Sequence, residues 1–231
     1  MTVQDRSQAR LDEGAAVGPQ VYRLLRGRIV ANDLEPGARI SETEIAAGYG
    51  VSRQPVREAF IKLAEEGLLE VRPQRGTFVR KIAVSAVMDA RFVREAIETD
   101  IVEDLAGTAD EGTIESLRAQ IGEQQDALED PDRFLELDNR FHANLAGSAG
   151  KARAWGIVEG LNSQMDRVRR LSMLRSPIPR LVAQHAAVVE AIARRDPAAA
   201  AATMRAHLRE VLNDLPAIAE SRPELFEVAG K

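Results

Sequence analysis

Four side chains in the C-terminal part of this 231-residue chain have the types and spacing of a metal-ligand set. Asp138 and His142 are four residues apart in RFLELDNRFHANLAG, so they share one face of a helix. His185 shares its helical face with the apolar residues of QHAAVVEAIA, and His207 with those of ATMRAHLREV. Because these apolar faces turn toward a core, we expect three imidazoles and a carboxylate to converge there.

A carboxylate with three neutral imidazoles is a sound coordination set for a divalent cation, whereas an isolated buried charge is costly. The chain has no cysteine, which excludes thiolate ligands, disulfides and cysteine nucleophiles. Nitrogen and oxygen ligands suit Zn²⁺, our first expectation, and also Ni²⁺, Mn²⁺ or Fe²⁺. The alternative is a purely structural cluster, since a buried histidine is commonly a hydrogen-bonded core residue.

The elements that would carry these ligands are helices. The pattern is helical from residue 84 onward, and Pro at a first helical position marks several starts. Short links between long helices predict an antiparallel all-α bundle, in a chain whose overall class is mainly α. The predicted segments span about 84–107, 110–128, 131–148, 151–175, 178–194 and 197–215.

A second chemical pattern precedes the bundle, in ISETEIAAGYGVSRQPVREAFIKLAEEGLLEVRPQRGTFVR at 40–80. It predicts a helix, a tight glycine turn, a basic helix and a β-hairpin, which together form a winged helix-turn-helix. Arg53, Gln54 and Arg57 lie off the buried stripe of the basic helix, where they can reach DNA bases or phosphates. Arg75 and Gly76 lie at the hairpin tip. The alternative is a solvated basic helix on a structural domain.

The charge distribution supports a DNA-binding role for the N-terminal part of the chain and a different role for the C-terminal part. Residues 1–82 contain 13 basic and 11 acidic side chains, whereas residues 83–231 contain 18 basic and 25 acidic ones. The positive charge is therefore local, and the acidic remainder would be repelled by DNA.

We therefore predict four segments: a disordered tail over 1–16, a DNA-binding domain over 17–82, an all-α effector-binding and dimerisation domain over 83–219, and a tail over 220–231. No apolar run approaches about 18 residues, and the N-terminus lacks a signal-peptide core. We expect a cytoplasmic protein without membrane partners.

The segment VSRQPVREAFIKLAEEGLL and the wing RGTFV resemble the N-terminal domain of GntR-family bacterial transcriptional regulators. The resemblance covers about 18–81 and implies that Arg53 and Arg57 are the main recognition-helix arginines and Gly76 the wing-tip glycine. It also implies operator DNA as a partner. The chain departs from the family pattern at Thr43, where many members have Arg.

The segments DNRFHANLAG and QHAAVVEAIARRDPAAAAATMRAHL resemble the effector-binding FCD domain of the FadR-like branch, in its six-helix, VanR-like group. The resemblance implies a metal site at Asp138, His142, His185 and His207. It also implies that Arg94, in an Arg-x-x-x-Glu pattern with Glu98, holds the carboxylate of a small organic acid. Without the resemblance, that pair is an i, i+4 ion pair of little energy at a surface.

The chain departs from the FCD pattern at Gly150-Lys151, where many members have Gly-Asn. As a whole, the sequence predicts a homodimeric, ligand-responsive transcriptional repressor that is not an enzyme. Two alternatives stay open: a regulator that senses the metal itself, and a metalloenzyme fused to a DNA-binding head. No general base is evident beside the candidate metal site.

Overall fold

A computed structural model describes residues 11–12, 14–173 and 178–227 of the chain. Most of the predicted tail over 1–16, the predicted helix break at Ser176-Pro177 and the last four residues of the predicted tail over 220–231 lie outside these residues. The chain forms two compact units. Residues up to Val84 and from Arg222 onward form the first unit, and Ser85–Ser221 form the second.

The described part of the first unit contains three α-helices, a short 3-10 helix at Pro223–Leu225 and a small antiparallel sheet. The helices are α1 (Val17–Val30), α2 (Glu42–Tyr49) and α3 (Arg53–Glu65), and the strands are β1 (Arg39–Ile40), β2 (Leu69–Arg72) and β3 (Gly76–Val79). The strand order is β1-β3-β2, and Val71 pairs with Thr77 in the wing hairpin. The core is formed by apolar residues of α1 and α3 with strand residues, among them Val21, Leu25, Val56, Leu63 and Val79.

The turn between α2 and α3 follows the predicted glycine signal. Helix α2 ends at Tyr49, and Gly50 adopts the left-handed conformation with φ of 66°, which glycine accepts without a steric penalty. Strand β1 was not predicted, because two residues are too short to show a pattern and its partner lies nearly 40 residues away, with Arg39 opposite Phe78.

The second unit is a helical bundle, and the mainly α class is confirmed. Its helices are α4 (Val84–Thr108), α5 (Glu111–Gln125), α6 (Pro131–Ser148), α7 (Ala152–Met173), α8 (Ile178–Ala193) and α9 (Pro197–Ser221). Helix α9 continues through Pro216, where the sequence predicted its end. Leu215 and Ile218 are both buried, so packing of the same face sustains the helix past a residue that lacks an N–H.

The segment after α9 returns to the first unit, although the sequence predicted a tail from residue 220. Phe226 forms a parallel bridge with Ile82, and Ile82 donates its N–H to the Leu225 carbonyl at 2.9 Å. Leu225 and Phe226 are buried, and Arg80 pairs with Glu227 at 3.0 Å. Backbone hydrogen bonds and burial therefore anchor this segment through Glu227. Among the described residues, no helix is long and apolar enough to cross a membrane.

Candidate metal centre and DNA-binding surface

The four predicted ligands come together in the interior of the second unit. Helix α6 supplies Asp138 and His142, helix α8 supplies His185, and helix α9 supplies His207. All four are buried, and one ligand atom from each lies within 4.8 Å of the others. The apolar faces that the sequence predicted to face a core therefore deliver their polar residues to one point.

The distances at this point are those of ligands around one small cation. His207 Nε2 lies 3.1 Å from His185 Nε2 and 3.3 Å from His142 Nε2. The Asp138 carboxylate oxygens lie 3.6 Å from His185 Nε2 and 3.8 Å from His142 Nε2. Ligands about 2.0–2.1 Å from a tetrahedral Zn²⁺ are separated by roughly 3.3 Å, which is close to these values.

A second set of side chains determines which ring nitrogen faces this point. Glu98 Oε2 is in close contact with Nδ1 of His142, and Gln124 Oε1 lies 2.7 Å from Nδ1 of His185. Gln184 Oε1 lies 3.0 Å from Nδ1 of His207, while its amide nitrogen donates to Glu210. Acceptors at Nδ1 hold the proton on that nitrogen, as in carboxylate–histidine–metal arrangements.

With Nδ1 protonated, the three rings present acceptors to one another. A neutral imidazole with its proton on Nδ1 presents only a lone pair at Nε2. Three such lone pairs converge beside the Asp138 carboxylate, whose Oδ2 pairs with Arg169, and a cation between them would relieve their mutual repulsion. The donor set, the spacing and the buried outer partners therefore fit a divalent metal.

Burial also favours the unprotonated state that metal ligation requires. Burial lowers the pKa of His142, although the Glu98 carboxylate opposes that shift. Burial lowers the pKa of His185 and of His207 well below the ordinary value, and the neighbouring imidazoles and arginines add to the effect. Burial would raise the pKa of Glu98, but Arg94 and His142 lower it to about 2, so Glu98 is a carboxylate.

Arg94 lies beside this centre, as the family resemblance implied. Its Nε donates to Glu98 Oε1 at 2.6 Å, and both side chains are 3% exposed, so this is a buried ion pair rather than a surface one. Glu98 thus contacts Arg94 with one oxygen and His142 with the other. Arg94 Nη2 is buried and has no hydrogen-bond partner in the described part of the chain.

A small cavity of about 40 Å³ adjoins the centre. Asp138 and His207 form part of its wall, so it opens directly onto the candidate metal site. Arg94 and Arg169 also line it, and Arg169 forms an ion pair with Asp138. A space that touches both the ligands and two guanidinium groups can accept a small anion.

The predicted DNA-binding residues lie on the outside of the first unit. Arg53, Gln54 and Arg57 are exposed in the first turns of α3, and Arg53 Nη2 pairs with Glu42 at 3.3 Å. Arg75 is exposed in the wing turn, and Gly76 begins β3 with φ of 107°. The structure groups the first three at one helix end and the last two at the wing, and their contacts with DNA stay a prediction.

Sequence reasoning missed the two glutamines that contact the ligands, and it could not single out Arg169 among the arginines near the pocket. Gln124 and Gln184 resemble ordinary surface glutamines in the sequence, and Arg169 had no distinguishing neighbour. Their partners lie 61, 23 and 31 positions away along the chain. The signal that could have found them is a polar residue within the apolar stripe of a helix. Gln124 has this property, because it is fully buried on α5.

With this geometry established, comparison with known proteins identifies the family. The model of the bacterial regulatory proteins of the gntR family matches residues 18–79, and the FCD domain model matches residues 89–210. The chain belongs to the GntR family. It is a DNA-binding transcriptional regulator with an N-terminal GntR domain and a C-terminal FCD domain, so the recognition from sequence is confirmed.

Individual relatives agree with this assignment. The chain is 38% identical to the HTH-type transcriptional repressor RspR of Escherichia coli K12 over 222 residues, which covers 95% of this chain and 97% of that protein. A GntR regulator structure from Rhodococcus sp. RHA1 superposes with a TM-score of 0.71 at 25% identity, covering 87% of this chain and 98% of that one. E. coli McbR/YncC shares the fold, with a TM-score of 0.72 at 19% identity and coverage of 90% and 99%.

Proposed function

We propose that this GntR regulator is a cytoplasmic, homodimeric repressor whose operator binding is controlled by a small organic carboxylate. The carboxylate binds in the FCD domain beside a divalent metal, with Zn²⁺ as the first candidate and Ni²⁺, Mn²⁺ or Fe²⁺ as alternatives. The observation that carries the proposal is the convergence of three Nε2 atoms and Asp138 at one point, where Asp138 and His207 border a cavity that Arg94 also lines.

Asp138, His142, His185 and His207 would hold the metal, which supplies a positive centre for an anionic ligand. Arg94 supplies the directional contact. Its Nε is occupied by Glu98, and its buried Nη2 is available to a carboxylate oxygen. A charge-assisted hydrogen bond in a desolvated pocket is among the stronger contacts a small acid can make.

On DNA, helix α3 would enter the major groove with Arg53, Gln54 and Arg57 toward the bases or phosphates, and Arg75 with Gly76 would approach the backbone or the minor groove. The arginine side chains are exposed, and Arg57 lies one turn after Arg53. The two GntR domains of a symmetric dimer would match the two half-sites of a pseudo-palindromic operator, because protein symmetry is mirrored in the DNA.

Exposed apolar side chains on two helices of the FCD domain support a dimer. Phe92 is 66% exposed and Met88 lies one turn before it on α4, while Ile157 is 62% exposed with Leu161 one turn after it on α7. Large apolar side chains spaced one turn apart form stripes that a second copy of the chain would cover.

The binding of the carboxylate and the binding of DNA would then be coupled through the dimer. If the carboxylate binds better to the arrangement that does not fit the operator, it weakens DNA binding, and DNA weakens carboxylate binding by the same factor.

The test combines metal analysis with ligand screening. We expect about one metal ion per purified chain and its loss in His142→Ala, together with a higher melting temperature of the metal-loaded protein in one or more organic acids. Binding to a DNA fragment selected from random sequences should then weaken in that acid. A metal-free protein whose stability is unaffected by chelator would instead indicate a structural histidine cluster.

The four converging ligands also support one alternative, a regulator that senses the metal itself. In that case DNA affinity would follow the free metal concentration and would not respond to organic acids. The same DNA-binding assay, performed with and without metal and acid, separates the two functions.

A further inference from the structure

Arg169 occupies the carboxylate that the metal would need. Its Nη2 pairs with Asp138 Oδ2, while its Nη1 is bonded to Asn139 Oδ1 at 2.8 Å and to Asp166 Oδ1 at 3.3 Å. The side chain is nine-tenths buried and lines the cavity beside Arg94. Nη2 of the guanidinium thus contacts a proposed metal ligand, while Nη1 is held by Asn139 and Asp166.

The pair with Arg169 places a positive charge on the carboxylate that a cation would need. Arg169 Nη2 contacts Asp138, while Arg94 contacts Glu98. A divalent cation that displaced Arg169 from Asp138 would add two positive charges beside a cavity that Arg94 and Arg169 already line. The more positive potential would attract an acid anion.

We propose that Arg169 exchanges partners when the metal binds: the cation takes the Asp138 carboxylate, and the released Nη2 of Arg169 becomes an anion contact in the cavity. The inference rests on the proposed metal site and specifies its ligand. Binding of the acid becomes dependent on the metal, and the acid is a small carboxylate held between Arg169, Arg94 and the cation.

The geometry supports exchange rather than departure of Arg169. Asn139 and Asp166 both bond to Nη1, so they can keep the guanidinium in place while Nη2 turns away from Asp138. Arg169 itself lines the cavity, so the released Nη2 would stay within reach of an anion bound there.

The first experiment measures Zn²⁺ affinity by calorimetry on the full chain after chelator treatment. Arg169→Gln should bind Zn²⁺ on the order of tenfold more tightly than the wild type, because a buried positive charge that competes for Asp138 has been removed. Arg170→Gln is the matched control. Arg170 is the next residue of α7 but pairs with Asp132 at 2.7 Å and does not line the cavity, so its Zn²⁺ affinity should be unchanged.

The second experiment measures melting temperature with acetate and with acetamide, a neutral molecule of similar shape. Acetate should raise the melting temperature of the Zn²⁺-loaded wild type and of Zn²⁺-loaded Arg170→Gln. It should have no effect on the chelator-treated protein or on Zn²⁺-loaded Arg169→Gln, and acetamide should have no effect on any of them.

Weaker Zn²⁺ binding by Arg169→Gln, of the order of 10- to 100-fold, would show that Arg169 merely orients Asp138, and would overturn the exchange while leaving the metal site intact. Equal acetate responses with and without Zn²⁺, or none in the loaded wild type, would also overturn it. If neither the wild type nor Arg169→Gln binds Zn²⁺, the proposed metal site itself fails, and the exchange fails with it.

Discussion

The two domains of this regulator use the same type of ion pair in opposite settings. In the GntR domain, Arg53 pairs with Glu42, and the arginine side chain is 68% exposed. In the FCD domain, Arg94 pairs with Glu98, and both side chains are 3% exposed. An exposed pair contributes little energy and readily gives its arginine to a phosphate, whereas a buried pair must stay complete and can therefore hold a ligand in a fixed geometry.

Neutralising one member of each pair tests this difference most directly. Glu98→Gln should lower the free energy of unfolding of the metal-free chain by about 3–5 kcal/mol, because Arg94 would be left as a buried, uncompensated charge. Glu42→Gln, the matched change in the exposed pair, should cost less than about 1 kcal/mol. Urea denaturation of both variants measures the contrast, and equal costs would contradict it.

The second largest effect concerns pH, and it belongs to the FCD domain. Because the pKa values of His142, His185 and His207 are lowered by burial, the unfolded chain binds more protons than the folded chain below the ordinary histidine pKa. Stability is therefore present above about pH 6.5 and is lost as the pH falls, by up to about 1.4 kcal/mol per histidine in each pH unit.

Urea denaturation of the chelator-treated chain at pH 7.5, 6.5 and 5.5 measures this loss. The window excludes Glu98, whose pKa is lowered to about 2 and whose contribution is lost only below the ordinary carboxylate pKa. Removing one titrating ring in His207→Gln should reduce the pH dependence by about a third. A flat profile in the wild type would mean that the rings bind protons equally in the folded and the unfolded chain, so that burial does not lower their pKa values.

Features that are specified by residues close together in the chain could be predicted from the sequence. Helix α6 was predicted at its observed bounds, Pro131–Ser148, because proline, a preceding aspartate and the apolar period are local signals. The convergence of the four ligands also followed from periodicity, since each lies on a buried stripe. Prediction of DNA binding was easier still, because the turn, the basic helix and the wing are contiguous in 40–80.

What escaped prediction depends on contacts between distant parts of the chain. Periodicity shows which face of a helix is buried, but it does not show which residue of another helix meets it. Gln184 and Arg169 therefore acquired roles only when α8 and α7 were placed beside the ligands. Buried polar residues crowd the middle of α7, including Asn162, Gln164 and Asp166, so that helix has no purely apolar stripe from which to infer an orientation.

The smallest expected effect lies at the exposed surface of the GntR domain. Arg57→Ala should weaken binding to a selected operator by about 1–3 kcal/mol if Arg57 reads a base, and should relax the preference at one position of the site. The free energy of unfolding should change by less than about 0.5 kcal/mol, because the side chain is exposed. Fluorescence anisotropy with the operator and with single-base variants measures both affinity and preference.

Arg75→Ala is the matched change at the wing, and it separates sequence reading from attraction to phosphate. If Arg75 contacts the backbone, its loss should weaken binding to all the fragments to a similar extent and reduce the slope of log affinity against log salt by about 1. Arg57→Ala should instead change the ranking of the fragments. If both variants bind every fragment as the wild type does, the DNA-contacting surface must lie elsewhere on the domain, whereas a loss of stability in either would show that an exposed arginine supports the fold.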